Sequence, residues 1–135
     1  MYKFGPKSLE RLKTCDTRIQ TVMHKLIEEM DVTILEGVRT DERQNKLFAE
    51  GKSKLKAGQS KHNMEPSMAV DVAPWDSRSG IMWEDKERFC YMAGISKGIA
   101  KELGITLRWG GDWNMNGVLS DNRFNDLPHL ELRTE

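Results

Sequence analysis

A chain of 135 residues with 38% hydrophobic content can enclose one modest core, so a single domain over residues 1–135 is expected. Its 21 basic and 21 acidic residues cancel, leaving no overall field to draw the chain to nucleic acid or to an anionic membrane. No window reaches the roughly 18 uninterrupted apolar residues of a spanning helix, and Met1-Tyr2-Lys3-Phe4-Gly5-Pro6 lacks an apolar run of signal-peptide length. A protein made in the cytoplasm, without stable membrane association, is the expectation.

Ser8 is placed to cap a long amphipathic helix, because Leu9, Leu12, Ile19, Val22, Met23, Leu26, Ile27 and Met30 recur mostly at helical spacing. His24 lies beside that stripe and reads as a structural histidine. Residues 32–35 read as a short strand, after which Thr40 and Asp41 cap a second helix that ends at Gly51. Residues 52–67 carry Gly58, Pro66 and many polar side chains without a hydrophobic period, which marks a loop. Lys52, Lys54, Lys56 and Lys61 cluster there, but no interleaved aromatic residues would stack on bases, so nucleic acid is not an expected partner.

Residues 68–73 are compact and partly β-branched, a strand that stops at Pro74. A third helix spans about 84–103 and closes at Gly104, and residues 105–109 and 127–133 are further strands. The fold class is α+β: an antiparallel or mixed sheet packed with about three helices. Cys15 and Cys90 fall in separate predicted helices without a Cys-x-x-Cys spacing; free, largely buried thiols are one reading and a disulfide between them the other.

Alternation along the later strands sorts their side chains. Met68, Val70 and Val72 face one way, while Ala69, Asp71 and Ala73 face the other. Asp71 is therefore a carboxylate in a mostly apolar strand, and it needs a cation or a metal as partner. In the last strand Leu130 and Leu132 oppose His129, Glu131 and Arg133, so His129 and Asp71 can share a polar face. His62, nine residues before Asp71, completes two imidazoles and a carboxylate. That set suits Zn²⁺ and leaves a fourth position for water. Asp126, three residues before His129, is placed to act as base, and Arg39 to stabilise an oxyanion. By spacing alone, a structural salt-bridge network accounts for the same residues.

Ser60-Lys61-His62, Ala69-Val70-Asp71 and Asp126-Leu127-Pro128-His129 resemble peptidase family M15, whose pattern is Ser-x-His, Ala-x-Asp and an acidic residue three before a second His. Gly37-Val38-Arg39-Thr40 and residues 107–113 extend the likeness over nearly the whole chain, closest to the phage-type endolysins. The resemblance implies a hedgehog/DD-peptidase-like fold and zinc held by His62, Asp71 and His129. It makes Asp126 the base, Arg39 the carbonyl-polarising group and Ser60 a substrate contact. It also implies a monomeric zinc metallopeptidase that cuts the L-alanyl-D-glutamate bond of peptidoglycan stem peptides, with no separate cell-wall-binding domain. Such an endolysin would stay in the bacterial host cytoplasm until lysis. A D-alanyl-D-alanine carboxypeptidase and a non-catalytic wall-binding module are the alternatives.

Two features depart from a simple match. Asn63-Met64-Glu65-Pro66-Ser67 lengthens the gap between His62 and Asp71 and should bulge from the loop, with Pro66 and Ser67 turning the chain back into the strand. Asp112, Asn114 and Asn116, followed by Gly117, match the opening of a calcium loop, but position twelve is Arg123. Asp121 would have to complete a Ca²⁺ site, and a polar hairpin turn is the competing reading.

Overall fold

The N-terminal apolar stripe is carried by two helices, not by the single long one its periodicity suggests. In the computed structural model, which describes residues 1–133, α1 is Pro6–Leu12 and α2 is Thr17–Glu29. Between them another segment takes the backbone: Ser67 N–H donates to the Thr14 carbonyl, and Asp16 N–H donates to the Ser67 carbonyl, each at 2.9 Å. Asp16 then caps α2 by accepting from Arg18 N–H at 2.9 Å. Leu12 and Cys15 stay buried across the break, so the hydrophobic pattern does not record it.

Ser8 is consequently not an N-cap. Gly5 occupies that position with Pro6 in the first turn, where the missing N–H costs nothing. Ser8 is buried instead, its Oγ accepting from Ile34 N–H at 3.0 Å and lying 3.2 Å from Thr33 Oγ1. It fastens α1 to the first strand. His24 is exposed and meets Phe4 edge-on at 5.6 Å, as a structural histidine would.

The remaining elements are β1 (Val32–Glu36), α3 (Asp41–Ala49), a 3-10 turn (Lys61–Asn63), β2 (Ala69–Pro74), α4 (Lys86–Glu102), β3 (Leu107–Gly110) and β4 (Asp126–Leu132). Among the described residues this makes four α-helices, one more than expected because of the break, and one sheet in the order β1-β2-β4-β3. All three pairings are antiparallel, which settles the fold as α+β without parallel strands in the sheet.

Strand pleating divides the sheet into an apolar and a polar face. Ile34, Val70, Val72, Leu130 and Leu132 join Val22, Met23, Leu26, Phe89 and Met92 in one buried cluster under α2 and α4. The other face is open. Asp71 lies directly opposite His129, and Arg108 opposite Glu131. A bulge between Ile34 and Glu36 brings Glu36 opposite Asp71 as well.

Gly37 follows β1 where α1 and the chain after it press close on the backbone. A Cβ there would stand 2.2 Å from Thr14 Oγ1 and 2.6 Å from the Arg11 carbonyl. Gly37→Ala is therefore expected to destabilise the protein by about 1–3 kcal/mol through overpacking. Gly98→Ala, in an exposed part of α4 with nothing within 4 Å of the added Cβ, should instead stabilise by about 0.5–1 kcal/mol. Denaturant midpoints of the two variants check the contrast, and equal effects would contradict it.

Candidate metal centre

His62, Asp71 and His129 are brought together on the polar face, with one ligand atom from each lying within 4.8 Å of the others. Asp71 Oδ1 is 3.2 Å from His62 Nε2 and 3.4 Å from His129 Nδ1. The Asp71–His129 pair comes from β2 and β4 in register, while His62 is delivered by the loop. Ser60 caps the 3-10 turn by accepting from His62 N–H at 3.1 Å, and the turn points the imidazole inward. His62 Nδ1 then donates to the Gly37 carbonyl at 2.7 Å, leaving Nε2 to face Asp71. The longer His62 to Asp71 connection bulges as expected. Met64, Glu65 and Pro66 are exposed, and buried Ser67 docks into the α1–α2 break.

Two imidazoles and one carboxylate, with their donor atoms converging from three separate backbone segments, fit a zinc ion by ligand type and number. Burial would raise the Asp71 pKa, yet hydrogen bonds from His129 and His62 and their charge hold it well below the usual carboxylate range. Burial opposes charge on His129, but Asp71 and Glu131 outweigh it and lift its pKa to about 9. Asp126, half-exposed with Oδ2 4.0 Å from His129 Nδ1, has its pKa raised by burial and by the Asp71 charge. A carboxylate tuned upward beside the donor cluster is suited to accept and return a proton.

Arg39 is more constrained than its position in the sequence suggests. Its Nε and Nη2 donate to Glu36 Oε1 at 2.8 and 2.5 Å, its Nη1 to Gln44 Oε1 at 2.8 Å, and Nη2 also to Asp71 Oδ2 at 3.3 Å. Two carboxylates facing across β1 and β2 require such a cation. Of the five guanidinium N–H donors, one is left without a partner by these contacts. Gln44 is itself wholly buried and donates to Ser53 Oγ and the Leu55 carbonyl, tying the 52–60 loop to α3.

His62 and His129 line a cleft of about 430 Å³ together with Arg39, Ser60, Trp113, Phe124, Asp126 and Glu131, among others. Of the four tryptophans only Trp113 lines it, 5.3 Å from the His129 ring, with its Nε1 donating to the Phe124 carbonyl at 2.6 Å. Trp109 is core, and Trp75 and Trp83 are exposed elsewhere. The lysine cluster is dispersed: Lys61 pairs with Glu131, Lys52 with Glu50, and Lys54 and Lys56 lie over Phe124 and Phe48. Cys15 and Cys90 are free, and burial pushes the Cys15 thiol up to about 12.

Asp112, Asn114, Asn116 and Asp121 also gather in one loop. Asp112 accepts from the backbone N–H groups of Asn116 and Gly117 at 3.3 and 2.8 Å, and Asp121 Oδ2 accepts from the Asn114 and Asn116 amides at 3.4 and 2.5 Å. These bonds are those of a turn satisfied by its own groups. The groups sequence reasoning missed are Glu36, Gln44, Glu131 and Trp113 as parts of the centre. Glu131 alone had a signal, since it shares the predicted polar face of β4 with His129.

Two buried histidines and a half-buried aspartate with an adjacent proton-accepting carboxylate, beside an open cleft, are the arrangement of a metal-assisted hydrolase. The family model of phage L-alanyl-D-glutamate peptidase matches residues 1–133, and this chain belongs to that family. The L-alanyl-D-glutamate peptidase of Escherichia phage T5 is 37% identical over 137 residues, which cover 97% of this chain and 98% of the phage protein. The peptidoglycan L-alanyl-D-glutamate endopeptidase CwlK of Bacillus subtilis is 35% identical over 115 residues, covering 76% of this chain and 61% of that protein. In three dimensions the crystal structure of Serratia marcescens L-Ala D-Glu endopeptidase ChiX superposes with a TM-score of 0.78 at 24% identity, covering 98% of this chain and 90% of that one. That likeness supports the fold.

The pKa directions give opposite pH dependences for metal-free and metal-loaded protein. His129 is raised on folding from 6.5 to about 9, so its stabilisation is full below 6.5 and is lost as pH rises through about 9. Metal ligation needs neutral imidazole, so metal is lost as pH falls. Chelator-treated protein should melt at lower temperature as pH rises from 6.5 to about 9, while zinc-loaded protein keeps its metal there and releases it toward acid. A metal-free melting temperature that climbs over that interval would contradict the charge placed on His129.

Proposed function

We propose that this chain is a zinc peptidase that hydrolyses the L-alanyl-D-glutamate bond of peptidoglycan stem peptides, acting as a monomer and as a single domain. The observation that carries the reading is the convergence of His62, Asp71 and His129 on one open polar face with Asp126 beside them. Family membership and the printed activities of the T5 and CwlK relatives support the substrate. No described helix is long and apolar enough to cross a membrane, and accumulation in the host cytoplasm until lysis is part of the proposal.

Zinc, when bound by His62, Asp71 and His129, supplies Lewis-acid polarisation and makes water acidic enough to lose a proton near neutral pH. The chain's own groups do the rest. Asp126, its pKa raised, receives that proton on its carboxylate and delivers it to the departing D-glutamate nitrogen. Arg39 directs its unpartnered N–H at the scissile carbonyl oxygen as charge develops there. Ser60 keeps its hydroxyl hydrogen for the stem peptide while its oxygen holds the His62 turn.

Muropeptide digestion followed by mass spectrometry tests the bond cut. Peptides beginning with D-glutamate, with L-alanine left on the glycan, are expected. Release of terminal D-alanine alone would replace the reading with a carboxypeptidase, and retention on walls without any release would replace it with a binding module. Asp126→Ala should keep zinc and fold while losing activity by at least about 10²-fold. His62→Ala and His129→Ala should lose stoichiometric zinc, and unaltered metal content in either would overturn the ligand assignment.

The calcium reading of the 112–121 loop has its own test. The gathered oxygens of Asp112, Asn114, Asn116 and Asp121 support it, although they also serve the turn's own amides. Titrating Ca²⁺ into zinc-loaded protein should raise the melting temperature if the site fills, and no change in melting or activity disposes of it.

A further inference from the structure

The two histidines of the centre turn opposite nitrogens toward Asp71. His62 offers Nε2, because its Nδ1 is bonded to the Gly37 carbonyl at 2.7 Å. His129 offers Nδ1, and its Nε2 lies 2.9 Å from Glu131 Oε1. An imidazole that ligates through one nitrogen carries its proton on the other, so whatever accepts that second proton chooses the ligating atom. For His62 the chooser is a backbone carbonyl. For His129 it is a side chain that the proposed mechanism does not use.

Glu131 is held with unusual completeness for that task. It is 5% exposed. Its Oε2 accepts from Arg108 Nη2 at 2.8 Å and Nε at 3.2 Å, and lies 3.3 Å from Lys61 Nζ, leaving Oε1 to His129. Arg108 in turn lies over the Trp113 ring, which packs against His129. Lys61 is the residue before His62, so the same carboxylate fastens the turn that carries the other histidine.

We infer that Glu131 is a positioning residue: it fixes His129 as the tautomer protonated on Nε2, so that Nδ1 is presented to the metal. The inference rests on the reading of His129 as a zinc ligand. Its physical content lies in what replaces Glu131 when it is removed. Arg108 and Lys61 are donors only and cannot accept the Nε2 proton. Facing them, neutral His129 would turn Nε2 into an acceptor and move its proton to Nδ1, the nitrogen the metal requires.

The experiment is zinc affinity by chelator competition, combined with ¹⁵N spectra of the three imidazoles in metal-free protein, recorded at alkaline pH so that each ring carries a single proton. Glu131→Ala should weaken zinc binding by about 10–100-fold and shift the His129 proton from Nε2 to Nδ1, while His62 keeps its proton on Nδ1. Glu131→Gln retains an accepting oxygen and should fall between the two. It is also the variant that carries the test if the alanine form fails to fold. Affinity equal to wild type in either folded variant, or a His129 proton already on Nδ1 in the wild type, would overturn the inference. Zinc binding in the wild type without His129 would instead overturn the site reading itself, a result the ¹⁵N spectrum of zinc-loaded protein distinguishes.

Discussion

An ionised carboxylate in the middle of a sheet must be met by hydrogen-bonding or cationic partners, and Asp71 is met from three directions. His129 stands opposite it on β4, His62 comes down from the loop, and Arg39 reaches across from the end of β1. Leaving such a group unpartnered costs several kcal/mol. The arrangement of the polar face follows from this requirement. Glu36 is turned to the same side by the β1 bulge, and Arg39 sits between the two acids. A bound cation would complete the neutralisation that the imidazoles begin.

The loop that brings His62 to Asp71 is anchored by few contacts, each made to a rigid element. The Gly37 carbonyl accepts from both His62 Nδ1 and Ser67 Oγ, and Ser67 is locked into the gap between α1 and α2. The helix break, the extended connection and the orientation of His62 are thus one construction. It makes the candidate centre preorganised: its donor groups are set by backbone carbonyls, a capped 3-10 turn and strand register, not by mobile side chains.

Strand alternation was legible wherever it had physical force. It separated Val70 and Val72 from Asp71, and Leu130 and Leu132 from His129, because burial of one sheet face dictates that pattern. Helix ends at Thr40, Gly51 and Gly104 were legible through their capping and turn chemistry. The break at Thr14–Asp16 was not, since it is imposed by Ser67 from far along the chain while the apolar spacing runs on undisturbed. For the proposed site, the grouping of His62, Asp71, His129, Asp126 and Arg39 was suggested chiefly by the family pattern. Glu36 and Gln44 contribute only through a bulge and a buried amide, neither of which has a local signature, and Glu131 was marked only by sharing the His129 face of β4.

The central claim is that one zinc ion joins His62, Asp71 and His129. Anomalous diffraction from crystals of the zinc-loaded protein, recorded on both sides of the zinc absorption edge, tests it most directly. The account predicts a single strong peak at about 2.0–2.2 Å from His62 Nε2, His129 Nδ1 and an Asp71 oxygen. A fully active protein with no peak at that position, or with its zinc bound elsewhere, would contradict it.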